Sequence, residues 1–321
     1  MRLKHTCHVI LLIELLFSAT TFATFNDIGV GARPLGLGGA FVALADDSNA
    51  PNYNAAGLGY IDAIQVGATY AQRFNGLITY NTIGGIVPLG GAGAIGANIG
   101  VLAEDSEIYR EQTLRLAYGN AVLKQLAIGA TLKLFGTSFD EANEFVSENP
   151  YFTQTSASAV SFDVGVIAKP ATGLSLGVSA ENLFPANMSI SELHTDSVPR
   201  HIRAGVAYSL ESIAEMSAQG EVVSSVLKSS LVIVEVTNRS REMHVRAGAE
   251  LWLNKAIAVR GGYGIASNRT GGGGTATTLT LGGSAKIPVG SAVLQLDYGF
   301  QMLTGNFQDN TTQRASANLL F

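Results

Sequence analysis

The chain has 321 residues, of which 47% are hydrophobic and only 14% charged, with 37 glycines and a formal net charge of -5. A soluble domain carries roughly a quarter charged residues, so this composition argues against a solvated surface. The acidic balance excludes a nucleic-acid partner, which requires a basic face.

In chain order, residues 1–23 read as a secretory signal peptide. Arg2, Lys4 and His5 form a basic start, Val9 to Phe17 an apolar core interrupted by Glu14, and Thr21-Phe22-Ala23 a small-residue cleavage site, with a cut after Ala19 as the alternative. The single cysteine, Cys7, lies inside this segment. The mature chain is therefore expected to have no thiol, disulfide or cysteine-held metal. No other stretch reaches the ~18 consecutive apolar residues of a membrane-spanning helix. An exported, apolar-rich chain of this kind is either a soluble β protein with a large core or a membrane barrel, and its periodicity decides between them.

Residues 24–60 break the two-residue rhythm of everything that follows. The run Gly29 to Leu58, GVGARPLGLGGAFVALADDSNAPNYNAAGL, is dense in glycine and holds one short apolar stretch, Ala40 to Ala45, stopped by Asp46 and Asp47. Glycine and proline weaken a strand ladder, so the run is expected to be a compact irregular piece enclosed by the rest. It resembles the N-terminal signature of the PorV/PorQ family of outer-membrane proteins, relatives of the FadL-type hydrophobic-compound channels. The matching positions are Gly31, Ala32, Arg33, Gly38, Gly39, Ala40, Ala43, Ala45, Asp46, Asp47, Ala50, Asn54, Ala56, Gly57 and Leu58. The chain departs at Ala55, where the family has proline. That removes a stiffened turn but keeps the asparagine and glycine that the turn chemistry needs. The resemblance implies a hatch inside the lumen of a β-barrel.

From residue 61 to 321 the chain alternates with period 2, as strands do. Ile128, Ala130, Leu132 and Leu134 oppose Gly129, Thr131, Lys133 and Phe135. Val160, Phe162, Val164 and Val166 oppose Ser161, Asp163 and Gly165. The polar face is glycine-rich and thinly charged, unlike a solvated exterior, which favours a transmembrane barrel with apolar residues toward lipid and polar ones toward the lumen. Tyr70, Tyr80, Tyr118, Tyr208 and Trp252 fall near strand ends and are expected in aromatic girdles. Strands are expected near 61–71, 77–87, 92–103, 108–119, 125–137, 158–169, 173–183, 199–209, 242–252, 255–265, 276–287, 291–302 and 313–321. Parity requires an odd number between 209 and 242, and one is placed near Met216 to Val226; Leu231 to Val236 also looks strand-like and would then belong to an outer-loop extension. The total is fourteen, the number that the FadL resemblance implies. The long segments 138–157, 184–198, 266–275 and 303–312 then lie outside, and the short connections at Pro88, Pro170 and Pro288 in the periplasm.

The expected fold is thus an all-β, antiparallel transmembrane barrel of about 14 strands with the hatch in its lumen. Inward charges are Arg115, Lys133, Asp163, Glu181, Arg203, Arg246, Glu250, Arg260, Lys286 and Asp297. Their mixed signs fit pairing with one another or with the hatch, because unpaired charge in a narrow lumen is costly; the other reading is a polar path or binding site. No nucleophile, base and orienter can be nominated, so an enzyme is not expected, nor a cofactor. Asp46 and Asp47 lack the further oxygen ligands of a calcium loop, and His194, His201 and His244 show no metal spacing. The terminal Phe321 resembles the aromatic that outer-membrane assembly machinery reads. The implied partners are outer-membrane lipid, the barrel-assembly machinery, and either secreted proteins or a small hydrophobic ligand. The PorV/PorQ resemblance implies a partner or scaffold in protein export or surface assembly. The FadL relation implies passive, hatch-gated transport of hydrophobic or amphipathic small molecules.

Overall fold

The computed structural model describes residues 25, 29–106, 108–192, 195–211, 214, 221–239, 242–267, 275–304 and 311–321. The expected signal peptide, the Gly271 to Gly274 loop, His194 and most of 303–312 lie outside these residues. Fourteen strands form one closed antiparallel barrel. They are β1 Gln65–Arg73, β2 Ile78–Pro88, β3 Ala94–Glu104, β4 Tyr109–Leu123, β5 Leu126–Phe139, β6 Ser156–Ala171 and β7 Leu174–Glu181. The ring continues with β8 His201–Ser209, β9 Leu231–Arg239, β10 Glu242–Trp252, β11 Ile257–Ser267, β12 Thr275–Val289, β13 Ala292–Thr304 and β14 Thr311–Leu320. Each strand pairs with its neighbours in sequence, and β14 closes on β1 with Val66 opposite Leu319 and Ala68 opposite Ala317.

Burial runs opposite to that of a water-soluble sheet. Val164, Val166 and Val178 are exposed, while Asp163, Ser179 and Glu181 beside them are buried. Val178 is 51% exposed and Ser179 only 2%. Apolar residues therefore face outward along the whole ring, as lipid contact requires. Closure pairs the backbone groups between strands, the condition for strands to cross hydrocarbon. The end carrying Gln65 and Leu320 is called proximal here; the tight turns at Gly90, Gly173 and Gly290 are also proximal. Gly173 and Gly290 have φ of 77° and 61°, a region that glycine enters without strain.

Two sequence expectations change. The joining strand is β9, Leu231–Arg239, whereas Glu221–Lys228, which overlaps the end of the expected strand, is a helix. The reason is period. EVVSSVLK sets apolar and polar residues in adjacent pairs, which suits a helix, while β9 alternates exposed Val232, Val234 and Val236 with buried Ile233, Glu235 and Thr237. The helix sits on a proximal connection, so the longest loop at that end is an exception to the sorting by loop length. The girdle assignment also fails for two residues. Tyr70 and Tyr118 are exposed, but Tyr80 and Trp252 are buried. Trp252 turns inward, donating Nε1–H to Glu250 at 3.2 Å with the Lys286 ammonium 4.0 Å from its ring centroid.

Candidate functional site

Residues 29–64 lie inside the ring and follow its inner wall. Helix α1, Ala32–Gly36, packs on β11 to β14, and the 3-10 turn Ala55–Tyr60 packs across the lumen on β3 to β6. Helix α2, Ala50–Tyr53, precedes that turn. Between them the chain passes β10, β9 and β7. This path is possible because the wall is flat where the segment touches it. An inward glycine faces the segment on eleven strands: Gly67, Gly96, Gly119, Gly129, Gly165, Gly177, Gly205, Gly248, Gly262, Gly282 and Gly299, one each on β1, β3 to β8 and β10 to β13. At Gly177 a Cβ would overlap the carbonyl of Val42, and at Gly248 it would overlap the backbone of Leu37. The apolar stretch fills the middle: Leu37, Ala40, Phe41, Val42, Ala45 and Leu58 are buried, with Phe41 edge-on to Tyr53 at 5.2 Å.

The motif residues explain how the segment holds its shape. Gly31, Gly38 and Gly39 have φ of 83°, 73° and 84°, which a side chain would strain. Gly57 lies directly against the Ala45 carbonyl. The Asn54 amide donates to the carbonyls of Val42, Val166 and Val178 at 2.9, 3.1 and 3.3 Å, and its Oδ1 accepts from Ala56 N–H at 3.1 Å. Asn54 thus holds the turn that proline stiffens in the family pattern. Ala32 N–H donates to Ser316 Oγ at 2.9 Å, tying α1 to β14.

Arg33 is the charged centre of the segment. Its Nε and Nη2 donate to the two Glu250 oxygens at 2.8 and 3.0 Å, and Nη1 reaches Asp46 at 2.6 Å and Asp47 at 3.0 Å. Such bidentate, charge-assisted contacts are the stronger kind. Burial pushes the Asp47 carboxyl up, and Arg33 pulls against that shift. Glu250 also receives Arg260 Nε at 2.5 Å, and Arg260 Nη1 meets Asp297 at 3.1 Å. The two acids of the motif therefore share one guanidinium. A second network crosses the opposite wall. Lys133 meets Asp163 at 2.8 Å and Glu181 at 3.7 Å, and Arg203 joins Glu181 at 2.6 Å to Glu235 at 3.0 Å. Arg246 stands 3.8 Å from Glu235.

Glu235 is the main lumenal residue absent from the sequence expectations, which place the strand-like run Leu231 to Val236 in an outer-loop extension. Its Oε2 accepts the N–H groups of Phe41 and Val42 at 2.8 and 2.9 Å, so one buried carboxylate fixes the middle of the segment. The alternation of β9 was the signal that marks it as inward. Of the ten charges named from the sequence, Lys133, Asp163, Glu181, Arg203, Glu250, Arg260 and Asp297 are buried, Arg115 and Arg246 are half-buried beside the cavities, and Lys286, also half-buried, sits over Trp252.

Above the segment, toward the distal strand ends, is a cavity of about 400 Å³. Phe74, Ile78, Leu102 and Tyr109 form an apolar wall, and Arg239, Glu242, His244 and Arg246 a charged one. A smaller cavity of about 70 Å³ reaches Gly29, Val30 and Asn52 of the segment, and shares Glu111, His201 and Arg239 with the larger one.

No protein-family model matches the chain, and no curated protein does. Solved structures do match. The chain is similar to a Pseudomonas aeruginosa FadL homologue at 11% identity and TM-score 0.62, over 95% of this chain and 99% of that one. It is similar to the CymD monoaromatic hydrocarbon channel at 12% identity and TM-score 0.60, over 92% and 98%. The Ralstonia pickettii toluene transporter TbuX aligns at 13% identity and TM-score 0.56, also over 92% and 98%. At such identities the likeness concerns fold: this chain has the closed fourteen-stranded barrel of FadL-type channels.

Proposed function

We propose that the chain is an outer-membrane barrel that passes small hydrophobic or amphipathic molecules, with residues 29–64 as its hatch. One observation carries the reading. The lumen is filled on its proximal side by a segment held through ion pairs and glycine contacts, beneath a half-apolar cavity of about 400 Å³ at the distal end. Ion pairs that hold a separate piece of chain against a wall can exchange partners without breaking the barrel's own hydrogen bonds. The FadL-type fold, found in channels for toluene and other monoaromatic hydrocarbons, supports transport over a role as an export partner. The export reading rests on the Gly31 to Leu58 motif alone. Phe321 as an assembly signal likewise rests on resemblance.

The test is flux. Deleting residues 29–56 should raise single-channel conductance in planar bilayers and speed toluene entry into liposomes. Unchanged conductance and uptake in a deletion variant that still migrates as a folded barrel would refute the hatch. A type IX cargo protein co-purifying with the barrel from native membrane, together with no uptake, would favour the export role.

A further inference from the structure

Lysine is distributed unevenly along the barrel axis. Of the six lysines beyond residue 23, five stand at the proximal end and the sixth, Lys133, belongs to the lumenal ion-pair network. Lys124 joins β4 to β5, Lys255 joins β10 to β11, and Lys169 and Lys286 stand near the proximal ends of β6 and β12. Lys228 belongs to the β8–β9 connection, which Glu211 and Glu221 balance within itself. None of the other four has a carboxylate within ion-pair distance among the described residues. Of the acids near them, Asp46 is engaged by Arg33, and Asp62 is exposed. The distal connections hold no lysine and carry the exposed acids Asp105, Asp140, Glu141, Glu144 and Glu148.

Two of the four lysines are aimed at the mouth of the lumen. Lys169 shares the inward parity of Asp163 and Ile167, and its ammonium lies 3.7 Å from the centroid of the Tyr60 ring. Lys286 shares the inward parity of Ser284, and its ammonium lies 4.0 Å from the centroid of the Trp252 ring. A ring face steadies an ammonium without using up its N–H donors, so both cations are held in place and still open to an anion. Lipid headgroups lie on the other face of the wall. Successive proximal connections are about 10 Å apart along the rim, two strand spacings, so one small anion meets one lysine.

We propose that the proximal rim docks an acidic polypeptide from the compartment it faces, with Lys124, Lys169, Lys255 and Lys286 as its cationic contacts. An extended chain covers the gap between successive connections with about three residues, so a run of acids reaches several lysines at once. The proposal needs the barrel and its rim, and does not depend on passage of small molecules.

The test uses the purified full-length mature barrel in phosphatidylcholine nanodiscs and fluorescence anisotropy with labelled dodecaglutamate and triglutamate. Dodecaglutamate should bind more tightly than triglutamate, and added salt should release it. Lys169→Gln/Lys286→Gln should weaken dodecaglutamate about tenfold, the size of two exposed ion pairs, and the four-lysine variant should not bind it. Arg110→Gln/Arg200→Gln, which removes two exposed charges from the distal end, should leave binding unchanged. Equal loss in that distal variant, equal binding of triglutamate, or wild-type binding in a four-lysine variant with heat-modifiable migration would overturn the proposal. Loss of docking on adding phosphatidylglycerol to the nanodiscs, with the four-lysine variant releasing that lipid, would also overturn it and assign the rim to lipid headgroups.

Discussion

Removing Gln313–Phe321 should abolish accumulation of the assembled barrel. That stretch supplies nearly all of β14, which pairs with β1 on one side and β13 on the other. Its loss exposes two strand edges to hydrocarbon, where each unsatisfied backbone group costs several kcal/mol. It also removes Ser316, which accepts Ala32 N–H, and Asn318, bonded to Ser48 at 2.5 Å, so the inner segment loses its tie to the closing seam. Comparison of heated and unheated samples on denaturing gels reads the outcome. A truncated chain that still runs as a compact, heat-modifiable species would contradict the closure argument.

The second large effect is local. Arg33→Ala leaves Glu250 with one guanidinium instead of two, and strips Asp46 and Asp47 of theirs. Breaking a buried pair from one side costs about 3–5 kcal/mol, because the remaining charge stays uncompensated. Asp46 is half exposed and contributes least. The backbone pairing of the ring does not involve Arg33, so the cost falls on the segment. Arg33→Ala should keep heat-modifiable migration while conductance becomes larger and noisier, and Arg33→Lys should be intermediate because an ammonium cannot make the paired contacts with Glu250. Wild-type conductance in Arg33→Ala would show that the ion pairs do not hold the segment in place.

Much of the fold was legible because a barrel repeats one rule. Lys133, Asp163 and Arg203 lie inward by the same alternation that sends Ile128, Val160 and Ile202 to lipid. Parity also required a joining strand before residue 242, but parity cannot choose between two apolar runs. Comparing periods would have chosen, since Val232, Glu235 and Thr237 alternate where VVSSV does not. Trp252 shares parity with Glu250, and Tyr80 with Thr82, so their inward turn was written in the sequence too; a general preference of aromatics for membrane interfaces outweighed it. The site was harder. Arg33, Asp46 and Asp47 stand within fifteen residues of one another, yet Glu250 is 217 positions away from Arg33, and only the closed ring brings them together. The glycine face was visible strand by strand, but its meaning as a track for residues 29–64 appears only once the segment lies on it.

The central claim is that this segment occupies the lumen against the wall, and one cysteine pair tests it directly. A Cβ built on Gly36 comes 3.3 Å from Gly282 Cα, and one built on Gly282 comes 3.1 Å from Gly36 Cα. The two positions are in direct contact, so cysteines there meet once the backbones part by a few tenths of an ångström toward the Cβ separation of about 3.8 Å that a disulfide needs. Neither glycine has a left-handed φ, and the only native cysteine, Cys7, lies in the expected leader. In Gly36→Cys/Gly282→Cys protein in native membranes, the account predicts near-complete cross-linking under mild oxidation, seen as a reductant-sensitive mobility shift on fully denaturing gels. Two free thiols that both react with maleimide after oxidation, in a barrel that still shows heat-modifiable migration, would contradict it.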